Sequence, residues 1–250
     1  MKTLILLSVM VAMVVTPALA VPTVDLTTVG TSGTANGAIF VQWDGSPTGT
    51  GNIDPFLRLQ AHDIEEGFNT SVAGSKPYDD QDFGGGNWNH VLLLSTVPLV
   101  NIAGTDYREL SLDINQTGAD PYLSLDKLQI FSSANGALDD KTGLVPIYDL
   151  GANMVAMNYS LNGGSGNGDM LVYIPDSGFT QQYVYLYCQF GAGDITTIPG
   201  NPSGEWSSND GFEEWAVRIG GTPVVPAPSA ILLAGIGTSL VGWMRRKRAL

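Results

Sequence analysis

The chain has 250 residues, enough for one ordinary domain, and 44% hydrophobic content gives it material for a core. Charged residues make up only 14%, and the net charge is −13; with Lys2, Arg245, Arg246, Lys247 and Arg248 at the ends, residues 21–224 keep six Lys/Arg against 24 Asp/Glu, a net of −18. Such a body repels phosphate backbones, which excludes nucleic acid as a partner, and a single cysteine, Cys188, excludes an intramolecular disulfide framework.

Residues 1–20, MKTLILLSVMVAMVVTPALA, have the three parts of a secretory signal. Lys2 is the positive start and residues 4–15 are a short apolar run. Ala18-Leu19-Ala20 is a small-x-small cleavage box. Signal peptidase is expected to cut after Ala20 and leave Val21 as the new N-terminus.

Residues 21–222 are expected to form one β-rich ectodomain. No long amphipathic helix pattern occurs; short apolar or alternating runs recur between Gly, Asn, Asp and Pro. Strands are predicted over 38–41, 90–94, 107–114, 127–131, 153–159, 169–174, 183–190 and 212–219. In 107–114 the residues Leu110, Leu112 and Ile114 face one way and Glu109, Ser111 and Asp113 the other. In 183–190 Val184, Leu186, Cys188 and Phe190 alternate with Tyr183, Tyr185, Tyr187 and Gln189. Cys188 on the apolar face reads as a small buried residue, and the tyrosine row reads as the second face of a half-buried strand. The Gly-rich segment 162–168 reads as the turn of a hairpin. This spacing predicts an all-β, antiparallel sandwich of jelly-roll type.

Two acidic segments offer oxygen ligands to calcium. Asp113, Asn115 and Thr117 place oxygens at alternate positions before Gly118, the opening of a loop that wraps a hard cation, and Asp126 follows further on. Ser124 stands where such a loop places its closing Glu, and the flanks are strands, so an acidic strand–turn–strand is the plainer reading. The second segment is 209–215, NDGFEEW. Glu65-Glu66, Asp79-Asp80-Asp82 and Glu213-Glu214 offer the paired carboxylates that glycoside hydrolysis needs. Neighbours on a strand point to opposite faces, however, and no nucleophile-elbow or His/Cys metal spacing is present.

The chain closes in VPAPSAILLAGIGTSLVGWMRRKRAL. Residues 225–228 are extended because each proline disfavours helix in the residue before it. Residues 229–244 carry no charge and no proline; as a helix these 16 residues are about 24 Å long, short against a hydrocarbon core of about 30 Å. Arg245, Arg246, Lys247 and Arg248 would stay on the cytoplasmic side, leaving the body outside. The order of prolines, short apolar helix and basic cluster in residues 223–250 resembles the PEP-CTERM sorting domain of Gram-negative and related bacteria, with Pro226-Ala227-Pro228 where that family carries Pro-Glu-Pro. The segments LDINQTGADPYLSLDKLQIF, GSGNGDMLVYIPDSGF and NDGFEEWAVRIGG are similar to ectodomains of the same family. The resemblance implies recognition by an exosortase, transient membrane association, release or attachment at the cell surface, and association with exopolysaccharide.

The reading is therefore an exported, non-enzymatic cell-surface or matrix protein. Its alternatives are a calcium-braced carbohydrate-binding module using Trp88, Trp206 or Trp215, and a secreted carboxylate glycosidase.

Overall fold

The computed structural model describes residues 24–43, 53–164, 167–193, 206–209 and 211–219. Fourteen strands and three single 3-10 turns make up its regular structure among these residues. The strands are β1 (Val24–Leu26), β2 (Ser32–Ala35), β3 (Ala38–Gln42), β4 (Ile53–Leu59), β5 (Glu65–Phe68), β6 (Leu92–Leu93) and β7 (Leu99–Ile102). They continue as β8 (Thr105–Asp113), β9 (Tyr122–Ser133), β10 (Tyr148–Asp149), β11 (Val155–Asn158), β12 (Met170–Pro175), β13 (Tyr183–Phe190) and β14 (Glu213–Arg218). Among the described residues no helix is long and apolar enough to cross a membrane; residues 229–244 lie outside them.

The strands form two sheets. The first runs β1-β11-β9-β13-β5, with β10 also on β9 and β6 also on β13. Its β1–β11 pair is parallel and its other pairs are antiparallel. The second is antiparallel throughout and runs β2-β3-β12-β8-β14-β4, with β7 also on β8. Long strands organise both: β9, β13 and β8 each pair with one strand along one edge and with two shorter strands in succession along the other.

Period-two alternation explains the packing. Leu110, Leu112 and Ile114 of β8 and its extension enter one large apolar cluster, as do Met170, Val172 and Ile174 of β12. The same cluster takes Leu123, Leu125, Leu128 and Ile130 of β9 and Val184, Leu186, Cys188 and Phe190 of β13, so both sheets contribute to it. The opposite faces are buried too. Tyr185 and Tyr187 of β13 pack with Phe68 and Phe131, the Phe68 and Tyr185 rings lying stacked at 5.4 Å. Leu171 and Tyr173 of β12 pack with Val41, Trp43 and Val100. Each large side chain removed from water contributes about 1.5–3 kcal/mol, and burial on both faces gives β12 its nearly continuous apolar run.

The strands predicted over 107–114, 183–190, 169–174, 212–219 and 38–41 coincide with β8, β13, β12, β14 and β3. Residues 90–94 supply only the two-residue β6 before a 3-10 turn, Leu94–Thr96. The segment 162–168 is not a hairpin turn: β11 before it belongs to the first sheet and β12 after it to the second. Glycines signal a reversal there, but strand pairing is decided by which core the next apolar face enters.

Two tight hairpins use left-handed backbone at both central residues, Asn36 (φ 48) with Gly37 (φ 87) and Ala103 (φ 51) with Gly104 (φ 88). Asn tolerates this region and alanine pays for it. Ala103→Asn is expected to raise stability by about 0.5–1 kcal/mol, read as a higher urea midpoint; an unchanged or lower midpoint would contradict the strain assigned to Ala103.

Candidate functional site

Ala18 and Ala20, Pro226, Ala227 and Pro228, and Arg245, Arg246, Lys247 and Arg248 lie outside the described residues. The four candidate calcium ligands lie inside. Asp113 ends β8 beside Asp169, whose Oδ2 accepts the Ile114 N–H at 2.8 Å. Asn115 presents its backbone N–H, not an oxygen, to Glu213 Oε1 at 3.4 Å. The Thr117 N–H donates to Asn209 Oδ1 at 2.7 Å, and its hydroxyl accepts from the Asp120 N–H at 3.3 Å. Asp126 sits in β9, where one carboxylate oxygen accepts from Ser124 Oγ at 2.9 Å and from the Ala192 N–H at 2.7 Å. Asp126 thus braces the chain leaving β13, while the other three line the passage from β8 to β9. Among the described residues no three His, Cys, Asp or Glu side chains gather as a metal centre.

The neighbouring acids are separated as strand alternation requires. Glu66 accepts from the Gln189 side chain and Glu214 from Arg58, while Glu65 and Glu213 turn inward. Asp80 is buried as well: Oδ1 accepts the Phe68 N–H at 3.1 Å and Oδ2 accepts from Asn89 Nδ2 at 3.0 Å. Tertiary structure then makes a pair that no local spacing announces. Glu65, from β5 of the first sheet, and Glu213, from β14 of the second, meet carboxyl to carboxyl, both at 0% exposure. Glu65 Oε2 accepts the Ala61 N–H at 3.0 Å, and Glu213 Oε1 accepts from Gln116 Nε2 at 3.2 Å. Burial raises the pKa of Glu65 and pushes Glu213 well above the ordinary carboxyl range, where the Glu65 charge adds to the effect.

Around the pair the backbone is tightly constrained. Asp63 (φ 68) exchanges two 2.9 Å backbone hydrogen bonds with Ser208. Gly191 (φ 81) lies so close that a Cβ there would stand 2.0 Å from the Asp63 carbonyl oxygen. Cys188, on β13 nearby, is fully buried, and burial pushes its thiol well above the usual range, which makes it a poor nucleophile.

The surface offers a different chemistry. Trp206 and Trp215 are core residues, and only Trp88 of the three candidate stacking tryptophans reaches solvent, at 36% exposure. The Arg58 guanidinium lies 3.6 Å from the Trp88 ring centre and 4.7 Å from that of Phe212, and its Nη2 is 2.8 Å from Glu214 Oε1. Register places Arg58 of β4 directly opposite Glu214 of β14, a relation invisible along the chain. Flat rings beside fixed polar groups can stack on a sugar ring and hydrogen-bond its hydroxyls. Tyr185 and Tyr187 are buried and present no such platform; Lys141 Nζ lies 3.2 Å over the Tyr187 ring.

Burial pushes the Asp80 carboxyl up to about 7 from the ordinary 3.8, against the hydrogen bonds from Phe68 and Asn89. A folded-state value above the unfolded one means that this stability is complete below about pH 4 and is lost as pH rises through 7. Across that window Asp80 is expected to cost on the order of 3 kcal/mol. In urea titrations from pH 4 to 8, Asp80→Asn should lose less stability than the parent by roughly that amount; equal losses would refute the assignment.

No family model, no curated protein and no solved structure matches this chain.

Proposed function

We propose that the chain is an exported, non-enzymatic cell-surface or matrix protein, directed outward by residues 1–20 and sorted through residues 223–250 by an exosortase-type enzyme. The observation that carries this reading is the succession, along residues 225–248, of two prolines, 16 uncharged residues and a basic cluster, together with the signal-like pattern of residues 1–20. The body between them supports a structural role. Its two sheets contribute to one apolar cluster, which favours a face-to-face sandwich. The Glu65–Glu213 pair is sealed from solvent, which counts against its use as the two carboxylates of a glycosidase. Exopolysaccharide is the partner proposed for the exported form.

Exposed aromatics favour one second reading, carbohydrate binding at the Trp88–Arg58–Phe212 patch.

Intact-mass measurement of the cell-surface form tests the sorting. The expected mass begins at Val21 and lacks the residues beyond about Pro228; a retained 245–250 tail would show a simple anchor instead. For the second reading, the full chain is passed over immobilised polysaccharides with and without calcium. Retention that falls at least tenfold in Trp88→Ala would support it, and failure of the parent to bind any polysaccharide would remove it.

A further inference from the structure

Glu65 and Glu213 raise a question that neither sorting nor surface binding answers. Two fully buried carboxyls face each other across the two sheets, and the three arginines of the described residues are held elsewhere: Arg58 by Glu214, Arg108 by Asp176 and Arg218 by Glu109. Each carboxyl has one oxygen supplied with donors, Glu65 Oε2 by Ala61 and Glu213 Oε1 by Gln116 and Asn115. Among the described residues, no N–H or hydroxyl donor is hydrogen-bonded to the remaining oxygens, Glu65 Oε1 and Glu213 Oε2. Two ionised carboxylates in that position would repel at low dielectric, each with an unsatisfied acceptor. A calcium ion would need six to eight oxygens, and the described residues bring no third Asp or Glu to the pair to form a metal-holding group. One proton between the two oxygens satisfies both and cancels one charge.

We propose that Glu65 and Glu213 share a single proton and act as a pH-operated clasp between β5 and β14. The proton resides on Glu213, which donates to Glu65, and burial on both sides holds it there. The other groups facing the pair act in both directions. The Asp79 charge bears on Glu65 and makes a second negative charge harder to accept, whereas the Cys188 thiol nearby, raised in part by Glu65 and Asp80, is neutral. Ser208 hydrogen-bonds Glu65, and Gln116 and Asn115 hydrogen-bond Glu213; these uncharged donors pull the carboxyls down, but burial outweighs them. Arg58 and Glu214 engage one another through side chains that alternate away from that of Glu213. The clasp is closed at acidic pH. When the proton leaves at higher pH, two like charges face each other and drive the first residue of β14 from β5. The unfolded chain releases this proton near the ordinary value of 4.5, the folded chain only above it. The stability it supplies is therefore complete below about pH 4.5 and lost as pH rises beyond.

Glutamine at either position separates this mechanism from a merely structural one. In Glu65→Gln the amide oxygen accepts from Ala61 and the amide N–H donates to Glu213; Glu213→Gln gives the mirror arrangement. Either amide replaces the shared proton with a hydrogen that pH cannot remove. The experiment is urea unfolding of the full chain from pH 4 to 9 for the parent and both variants. For the parent, the unfolding constant should climb about tenfold more per pH unit than for either variant while the proton is retained, leaving the variants the more stable at pH 9. Variants with the parent's slope would overturn the clasp. Carbon-13 NMR of the parent's carboxyl groups supplies a readout that needs no variant. One glutamate should hold its proton to a pH well above the ordinary carboxyl value, and ordinary titration of every glutamate would refute the proposal. If millimolar calcium raised the parent's midpoint at pH 8 but not that of Glu65→Gln, the pair would be a cation site and the clasp wrong.

Discussion

One apolar cluster fed by both sheets is the constraint on which the rest of this structure depends. The inward faces of β8, β9, β12 and β13 fill it, and a strand that contributes every second side chain inward must present the others outward. Here the outward faces of β12 and β13 are themselves covered by separate clusters around Tyr173 and Tyr185. Central strands buried on both sides leave little room for charge. Several buried acids, Asp80, Asp113, Asp169, Glu65 and Glu213, sit at strand ends and connections, while Glu109, in mid-strand on β8, is paired with Arg218.

Charge balance then shapes the fold. Six basic residues serve 24 acids in residues 21–224, and the three ion pairs among the described residues take Glu109, Asp176 and Glu214. Buried carboxyls elsewhere rely on N–H donors and on protons. Asp80 accepts from Phe68 and Asn89, Asp169 from Ile114, and Glu65 from Ala61. Donors alone do not offset burial, and so the carboxyls of Asp80, Asp126, Asp169, Glu65 and Glu213 all hold protons above the ordinary range. A body built this way folds more favourably on the acidic side, and its growing negative charge adds to the loss as pH rises.

The same economy separates the chemistry of the surface from that of the interior. The Glu65–Glu213 pair resembles a catalytic dyad in composition but has no access to a substrate. Arg58, Trp88 and Phe212 are accessible but carry no nucleophile or proton relay. This division fits a proposed role in which the body binds or builds and the two ends of the chain determine where it does so.

The sequence alone was enough for the all-β class. Period-two alternation in 107–114 and 183–190 identified β8 and β13, because a strand sends successive side chains to opposite faces; both faces of β13 prove to be buried, the tyrosine face in a cluster of its own. The buried state of Cys188 followed from its place in that alternation. Strands β4 and β5 left no such trace: IDPFLRL contains a proline, and EEGF pairs two acids with a glycine, residues that disfavour strands on their own. Partnership was decided only in three dimensions. Turn residues in 162–168 mark a reversal, but apolar faces choose the sheet in which the next strand lands. Trp206 and Trp215 differ from Trp88 only in the packing around them, and Arg58 meets Glu214 only through register between β4 and β14. Glu65 and Glu213 each look like one of an ordinary pair of surface acids. The tertiary structure, in which both sheets contribute to one apolar cluster, brings them together, because burial and contact are properties of the whole chain and no local window of residues contains them.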